Sequence, residues 1–185
     1  MNAVAGRRRA LFLDRDGTLM VDTGYVRDPA DVSLLPGVGA ALRTASELGF
    51  LLVLVSNQSG VARGIISSSQ LEAVQTRFEG DLADVDVKLD DVRFCLHGPN
   101  DGCRCRKPAA GMLVDAAAHL GIDLTSSVIL GDRASDMLAG QLVGVGTRIL
   151  LDSTTADPLA SLDRPGSTNV IADLTGLAPI LRGLR

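Results

Sequence analysis

The chain has 185 residues, of which 46% are hydrophobic, so it is long enough and apolar enough to bury a core. Its net charge of −4 and its 3% aromatic content argue against the basic, aromatic-rich surfaces of nucleic-acid-binding proteins. The apolar runs are too short for a helix that crosses a bilayer, so no transmembrane span is predicted.

Apolar segments alternate with helical patterns along the chain. Strands are predicted near 10–14, 51–56, 92–96, 127–131 and 147–151, with a last strand near 169–172. Helices are predicted near 37–49, 68–84, 109–121, 134–143 and 174–184. The alternation indicates an α/β fold, with a Rossmann-like parallel sheet that carries helices on both faces. We expect a single domain over residues 1–185, and a polar surface loop at 152–168.

The N-terminal arginines bear on where in the cell the protein is expected to be. Arg7, Arg8 and Arg9 precede only a short apolar run before Asp14 interrupts it, so no secretory signal is expected. Together with cysteines that look reduced, this predicts a cytoplasmic protein.

Two carboxylates follow the first predicted strand. In an extended segment alternate side chains share a face, so Asp14 and Asp16 can point to the same side, and Gly17 then allows a tight turn. A hard cation such as Mg²⁺ relieves the repulsion between two such carboxylates and leaves an oxygen free to act as a nucleophile. A solvated Asp-Gly turn is the alternative. A twelve-residue calcium loop is disfavoured, because Tyr25 stands where its final glutamate would be.

Other polar residues follow or precede later strands in a set order. Ser56 and Asn57 end the second apolar run, Lys107 precedes a helix, and Asp132 follows the fourth run. The carboxyl ends of parallel strands meet at one edge of a sheet, where ligands bind. Acids, a hydroxyl, an amide and a lysine at one edge predict a phosphoryl-transfer site. Asp136, one helical turn after Asp132, could be an outer metal ligand or an acid that stabilises a helix start.

All three cysteines of the chain lie in one short segment with a histidine. Cys95, His97, Cys103 and Cys105 offer three thiolates and an imidazole, which complete a tetrahedral, closed shell for structural Zn²⁺. A disulfide or reduced core cysteines are the alternatives, but the odd count and the spacing favour a metal. The last ligand is two residues from Lys107, so zinc would also restrain that lysine.

The motifs Asp-x-Asp-Gly-Thr, Ser-Asn, Lys and Gly-Asp-x-x-x-Asp resemble the haloacid dehalogenase superfamily of aspartate-nucleophile phosphatases from about Ala10 to Leu151. Gly24-Tyr25-Val26, the run from Ser56 to Gly64 and Cys105-Arg106-Lys107-Pro108 resemble the branch that contains heptose-bisphosphate and histidinol-phosphate phosphatases. In that branch a zinc loop stands beside the active site.

The resemblance implies roles that suit the residue chemistry. Asp14 would be the nucleophile and Asp16 the general acid and base. Mg²⁺ would be held by the Asp14 carboxylate, the Asp16 backbone carbonyl and Asp132. Ser56 and Lys107 would hold the transferring oxygens. Asn57 would support this pair.

Substrate selection is predicted to come from loops, because the intervals between the motifs are already filled by predicted elements and leave no room for a cap domain. Arg63, Arg106 and Arg133 could bind a second anionic group, which favours a bisphosphate. Gly24-Tyr25-Val26 and the run from Ser59 to Gly64 most resemble the heptose-bisphosphate group, and this resemblance implies that heptose 1,7-bisphosphate is cleaved at its 7-phosphate for nucleotide-activated heptose biosynthesis. We expect a monomer that acts on a phosphorylated sugar and has neither nucleic acid nor a membrane as a partner.

Alternative functions stay open at this point. Histidinol-phosphate hydrolysis is compatible with the short zinc loop and with Arg133, where heptose enzymes usually carry lysine. A nucleic-acid 3′-phosphatase shares the catalytic set but is disfavoured by the charge and the few aromatics. A non-enzymatic zinc-loop protein is disfavoured because every catalytic position is filled.

Overall fold

The computed structural model describes residues 8–152 and 165–184. Its strands are β1 (Arg9–Leu13), β2 (Phe50–Asn57), β3 (Asp91–Cys95), β4 (Val128–Gly131), β5 (Thr147–Leu151) and β6 (Asn169–Ile171). Within the described residues they form one parallel sheet in the order β3-β2-β1-β4-β5-β6.

Helices cover both faces of this sheet. They are α1 (Val38–Glu47), α2 (Ser68–Ala83), α3 (Gly111–Leu120), α4 (Ala134–Leu142) and α5 (Leu177–Gly183). One hydrophobic core lies between the sheet and α1, α2 and α5, and the other lies between the sheet and α3 and α4. The predicted α/β fold with a parallel sheet is therefore confirmed, and no cap domain occurs in the described part of the chain.

Strand β1 shows how alternation builds the two cores. Leu11 and Leu13 pack into the core of α1, α2 and α5, whereas Ala10 and Phe12 pack into the core of α3 and α4. All four side chains are completely buried, as expected for a central strand of a parallel sheet that is covered on both faces. Truncation of Phe12 to alanine would cost about 3–5 kcal/mol of stability.

The order of the strands determines where on the sheet the site lies. The connection from β1 leads to β2 on one side, and the chain later returns to place β4 on the other side of β1. At such a switch point the loops that follow adjacent strands diverge and leave a crevice. Asp14 follows β1 and Asp132 follows β4, so both carboxylates lie at this crevice.

Some element boundaries differ from the predictions. The helix expected at 174–184 is a 3-10 turn, Leu174–Gly176, followed by α5, and the helix expected at 109–121 begins at Gly111. Two further 3-10 turns, Pro29–Asp31 and Leu124–Ser126, were not predicted because three residues are too few to show periodicity.

Residues 153–164 of the predicted surface loop lie outside the described residues. None of the helices in the described ranges combines the length and the apolar character needed to cross a bilayer.

Candidate active site

A buried ion pair links the first motif to the lysine. Lys107 Nζ lies 2.7 Å from Asp14 Oδ1 and also donates to the backbone carbonyl of Val55 at 2.6 Å. Asp14 is 7% exposed and Lys107 is 3% exposed, so both groups are held with little solvent access. The predicted nucleophile and the predicted phosphate-binding cation are therefore in contact.

The Ser-Asn pair lies at the end of β2, beside the lysine. Asn57 Nδ2 donates to the Lys107 carbonyl at 3.0 Å, and the Lys107 N–H donates to Asn57 Oδ1 at 3.0 Å. Ser56 is buried, and its Oγ accepts a hydrogen bond from Gln58 Nε2 at 2.9 Å. Strand β2 and the loop that carries Lys107 are thereby tied together.

Asp132 approaches the turn that follows Asp14. Thr18 Oγ1 lies 3.3 Å from Asp132 Oδ1, and a Cβ at Gly17 would lie only 2.6 Å from Asp132 Oδ2. Gly17 also has φ +80°, which a residue with a side chain rarely adopts. Glycine is therefore required here for both the turn and the carboxylate.

Asp136 has a more definite role than its spacing indicated. Its Oδ1 lies 2.5 Å from Lys107 Nζ, and its Oδ2 accepts the Arg133 N–H at 3.1 Å in the first turn of α4. It is 1% exposed. Asp136 thus stabilises the helix start and forms a buried ion pair with the lysine, and one ligand oxygen each from Asp14, Asp132 and Asp136 lie within 4.8 Å of one another.

These buried charges shift one another's ionisation. Burial raises the pKa of Asp14 to about 6; Lys107 opposes the shift and Asp136 adds to it. Burial alone would lower the pKa of Lys107, but the two carboxylates outweigh it and the pKa is raised. Burial and the charge of Asp14 also raise the pKa of Asp132. Oxygen ligands that repel one another in this way are suited to a divalent cation such as Mg²⁺.

An open cavity of about 440 Å³ lies over these groups. All three arginines expected to bind substrate, Arg63, Arg106 and Arg133, line it together with Asp14 and Lys107. Each of them has a local partner: Arg63 donates to the Tyr25 hydroxyl, Arg106 Nη1 lies 3.5 Å from the His97 carbonyl, and Arg133 Nη2 lies 2.9 Å from Asp22 Oδ2. The site is therefore a cationic cleft above a buried acidic centre.

The cysteine loop forms a compact cluster next to the cleft. Cys95 Sγ lies 3.7 Å from both Cys103 Sγ and His97 Nδ1, and Cys105 Sγ lies 3.3 Å from Cys95 Sγ and 3.2 Å from His97 Nδ1. A tetrahedron with Zn–S bonds of about 2.3 Å has edges of about 3.8 Å, so the four atoms are close enough together to ligate a single Zn²⁺.

The thiol pKa values within this cluster diverge. Burial and the hydrogen bond with Cys105 raise the pKa of Cys95 to about 12. For Cys103, burial raises the pKa, but the Arg106 N–H and the hydrogen bonds with the other two thiols together outweigh it, so the pKa is lowered. Zinc ligation requires thiolates, and a bound cation would supply the charge that ionises Cys95.

Three residues at the site were not identified by the sequence reasoning as functional. Gln58 Nε2 donates to Asp16 Oδ2 at 2.6 Å, Arg15 Nη2 lies 3.1 Å from Asp16 Oδ1, and Tyr25 lies in the wall of the cleft. The one feature of the sequence that could have identified them is that each lies inside a motif shared with the phosphatase superfamily. Their contacts depend on turns and on α2, which spacing alone does not reveal.

Comparison with known proteins agrees with this geometry. A family model described as HAD-hydrolase-like matches residues 104–177. The D-glycero-beta-D-manno-heptose-1,7-bisphosphate 7-phosphatase of Photorhabdus laumondii is 38% identical over 95% of this chain and 96% of its own. The protein of the same name from Yersinia pestis is 41% identical over 89% of this chain and 92% of its own.

A solved structure gives the same result. The D,D-heptose 1,7-bisphosphate phosphatase from B. bronchiseptica, crystallised with magnesium and phosphate, superposes with a TM-score of 0.83 and 31% identity, covering 96% of this chain and 99% of that chain. The chain therefore belongs to the haloacid dehalogenase superfamily of phosphatases, within the family of heptose 1,7-bisphosphate phosphatases.

Proposed function

We propose that the protein hydrolyses the 7-phosphate of D-glycero-D-manno-heptose 1,7-bisphosphate through an aspartyl-phosphate intermediate, as a step toward nucleotide-activated heptose. The observation that carries the proposal is the buried contact between Lys107 Nζ and Asp14 Oδ1 at the floor of a cleft lined by three arginines. Relatives over nearly the whole chain are named for this reaction on the β anomer, which is the anomer we expect.

In the first step, an Asp14 carboxylate oxygen attacks phosphorus, and the bond between phosphorus and the sugar oxygen breaks. Asp16 gives its proton to that oxygen. In the second step water attacks phosphorus, the bond to Asp14 breaks, and Asp16 accepts the proton of the water. The released products are heptose 1-phosphate and inorganic phosphate.

Ser56 and Lys107 orient the phosphoryl oxygens in both steps, and Asn57 holds Lys107 in place through its backbone. Mg²⁺ would be held by the Asp14 and Asp132 carboxylates and the Asp16 carbonyl, and when bound it neutralises charge on the transferring oxygens. Zn²⁺ would be held by the four residues of the cysteine loop as a structural ion beside the cleft.

Substrate choice follows from the charge of the cleft. Arg63, Arg106 and Arg133 favour a ligand that keeps a second phosphate after the reacting one is placed, whereas histidinol phosphate carries cationic amines. Binding energy at the remote phosphate aligns the reacting one, so its loss lowers the rate as well as the affinity.

The test is a phosphate-release assay with both heptose bisphosphate anomers, histidinol phosphate and a 3′-phosphorylated oligonucleotide. We expect kcat/KM for the β bisphosphate to exceed that for histidinol phosphate by about 100-fold, or roughly 2.7 kcal/mol, with heptose 1-phosphate as the product. Asp14→Asn is the control, because it keeps the shape of the site but removes the nucleophile. A preference for histidinol phosphate would overturn the substrate assignment, and full activity of Asp14→Asn would overturn the mechanism.

The monomeric state and the cytoplasmic location stay predictions of the sequence. Light scattering coupled to size-exclusion chromatography tests the first, and fractionation of the source cells tests the second.

A further inference from the structure

Arg15 lies between the two aspartates of the first motif and is completely enclosed. It heads the largest fully buried side chains among the described residues, with 1% exposure. A guanidinium stays charged in proteins, so its burial is unfavourable unless its donors are paired. The partners of Arg15 therefore indicate what its burial achieves.

Two nitrogens of the guanidinium donate hydrogen bonds to the carboxylate of Asp16. Nε lies 3.2 Å from Oδ1, and Nη2 lies 3.1 Å from Oδ1 and 3.2 Å from Oδ2. A planar fork of this kind sets the orientation of a carboxylate as well as its position. The ring of Phe94 stands 5.7 Å from the centre of the guanidinium and covers it on one side.

The remaining side of Arg15 is anchored to α2. Its Nη1 donates to Gln75 Oε1 at 3.2 Å, and Gln75 Nε2 donates to Glu79 Oε1 at 2.8 Å. Since the amide of Gln75 is engaged at both ends, its oxygen faces Arg15. Helix α2 therefore helps to fix the orientation of Asp16 through Arg15, although no residue of α2 lines the cleft.

A second donor reaches Asp16 from the residue that directly follows β2. Gln58 Nε2 donates to Asp16 Oδ2 at 2.6 Å and to Ser56 Oγ at 2.9 Å. The Asp16 side chain is 22% exposed and lines the cleft. The carboxylate is therefore held on two sides and faces the cleft on the third.

We infer that Arg15 is a positioning residue for proton transfer, which acts by fixing the Asp16 carboxylate between α2 and the cleft. The inference rests on the proposed function, in which Asp16 protonates the leaving oxygen and then takes the proton of the attacking water. Arg15 is not among the residues that line the cleft, so its proposed effect passes through Asp16.

A purely structural role makes a different prediction. If Arg15 only stabilises the fold, its loss lowers activity on all substrates by the same factor. If it positions a general acid, its loss affects alkyl phosphates, whose leaving oxygen needs a proton, far more than p-nitrophenyl phosphate, whose leaving group departs as an anion.

The experiment compares Arg15→Met with wild type, and with Arg93→Met as a control that removes a partly exposed ion pair with Asp91 on β3. For Arg15→Met we expect kcat/KM on the sugar bisphosphate to fall about 100-fold, and on p-nitrophenyl phosphate less than about threefold. Because hydrolysis of the aspartyl-phosphate also needs Asp16, p-nitrophenol should appear as a burst stoichiometric with enzyme. Arg93→Met should show neither effect.

A double-mutant cycle tests whether the effect passes through Asp16. In an Asp16→Asn background the further change Arg15→Met should lower kcat/KM less than about twofold, since the group it positions is already lost. An equal loss on both substrates, an absent burst, or a full additional loss in the Asp16→Asn background would overturn the inference.

Two further outcomes are covered: a failure of Arg15→Met to fold, and a lack of wild-type activity on the heptose bisphosphate. If Arg15→Met does not fold, as judged by circular dichroism, Arg15→Lys keeps the charge without the fork and should show the same selective loss in smaller degree; a uniform loss there would also overturn the inference. If wild type hydrolyses p-nitrophenyl phosphate but not the heptose bisphosphate, the proposed function fails, and the burst still decides the role of Arg15.

Discussion

Asn57 and Lys107 are 50 positions apart, yet they hold each other by two reciprocal hydrogen bonds of 3.0 Å. The side-chain amide of Asn57 satisfies both the N–H and the C=O of Lys107, as a paired β-strand residue would. The ammonium of Lys107 then reaches Asp14 and Asp136 from a fixed backbone. The position of the cation at the nucleophile thus depends on an uncharged side chain.

Asn57→Ala should lower kcat by about tenfold or more and reduce stability by about 1–3 kcal/mol, because two backbone groups lose their partner. Steady-state kinetics and urea denaturation measure the two effects. Asn169→Ala is the matched control: Asn169 is the first residue of β6 and accepts an exposed hydrogen bond from Thr168, so its loss should leave kcat unchanged. Normal kcat in Asn57→Ala would show that Lys107 does not need this support.

Gly17→Ala should weaken Mg²⁺ activation. Gly17 and Gly144 have similar positive φ values of +80° and +74°, but only at Gly17 would a Cβ meet another group, at 2.6 Å from Asp132 Oδ2. Gly17→Ala and Gly144→Ala therefore share the backbone strain, while only the first displaces a carboxylate proposed to hold the cation. We expect the Mg²⁺ concentration for half-maximal activity to rise about tenfold or more in Gly17→Ala alone. Equal effects in the two variants would contradict this account.

Zinc should be present at one ion per chain in protein purified without added metal, as measured by elemental analysis. His97→Ala should lower the zinc content and the melting temperature, because a structural zinc site contributes its binding free energy to folding. His119→Ala is the control, since His119 is an exposed residue of the last turn of α3. A zinc-free wild-type protein that is folded and active would refute the prediction.

Stability in Mg²⁺-free buffer should fall as the pH rises from about 4 to about 6. The pKa of Asp14 is about 6 in the folded protein against an ordinary value of 3.8, so in this window the folded state binds more protons than the unfolded state. The free energy of unfolding then decreases with rising pH, by up to about 3 kcal/mol for this group. The raised pKa of Asp132 acts in the same direction.

Denaturation curves of wild type and Asp14→Asn across this range measure the effect. The variant cannot ionise at residue 14, so its stability should vary less with pH. Because cation binding must displace the proton, the affinity for Mg²⁺ should also weaken below about pH 6. A wild-type stability that rises through the window would contradict the sign of the Asp14 shift.

Local patterns in the sequence determined the alternating strands and helices, the Asp14–Asp16 motif and the cysteine cluster. Each depends on residues close in the chain, such as the continuous apolar run that becomes β2, so periodicity and spacing were sufficient. The edge at which the motifs meet was also predictable, because parallel strands present their carboxyl ends together.

The tertiary structure decided which side chains pair across that edge. Spacing left Asp136 between two roles, and only the approach of α4 to the loop of Lys107 brings their charges to 2.5 Å. The sequence pattern does not distinguish Arg15 from other charged residues in turns. In the structure, the packing of α2 and Phe94 encloses it against Asp16. Such pairings depend on how helices pack on the sheet, and helix packing is set by the shapes of distant side chains, which no local pattern in the sequence contains.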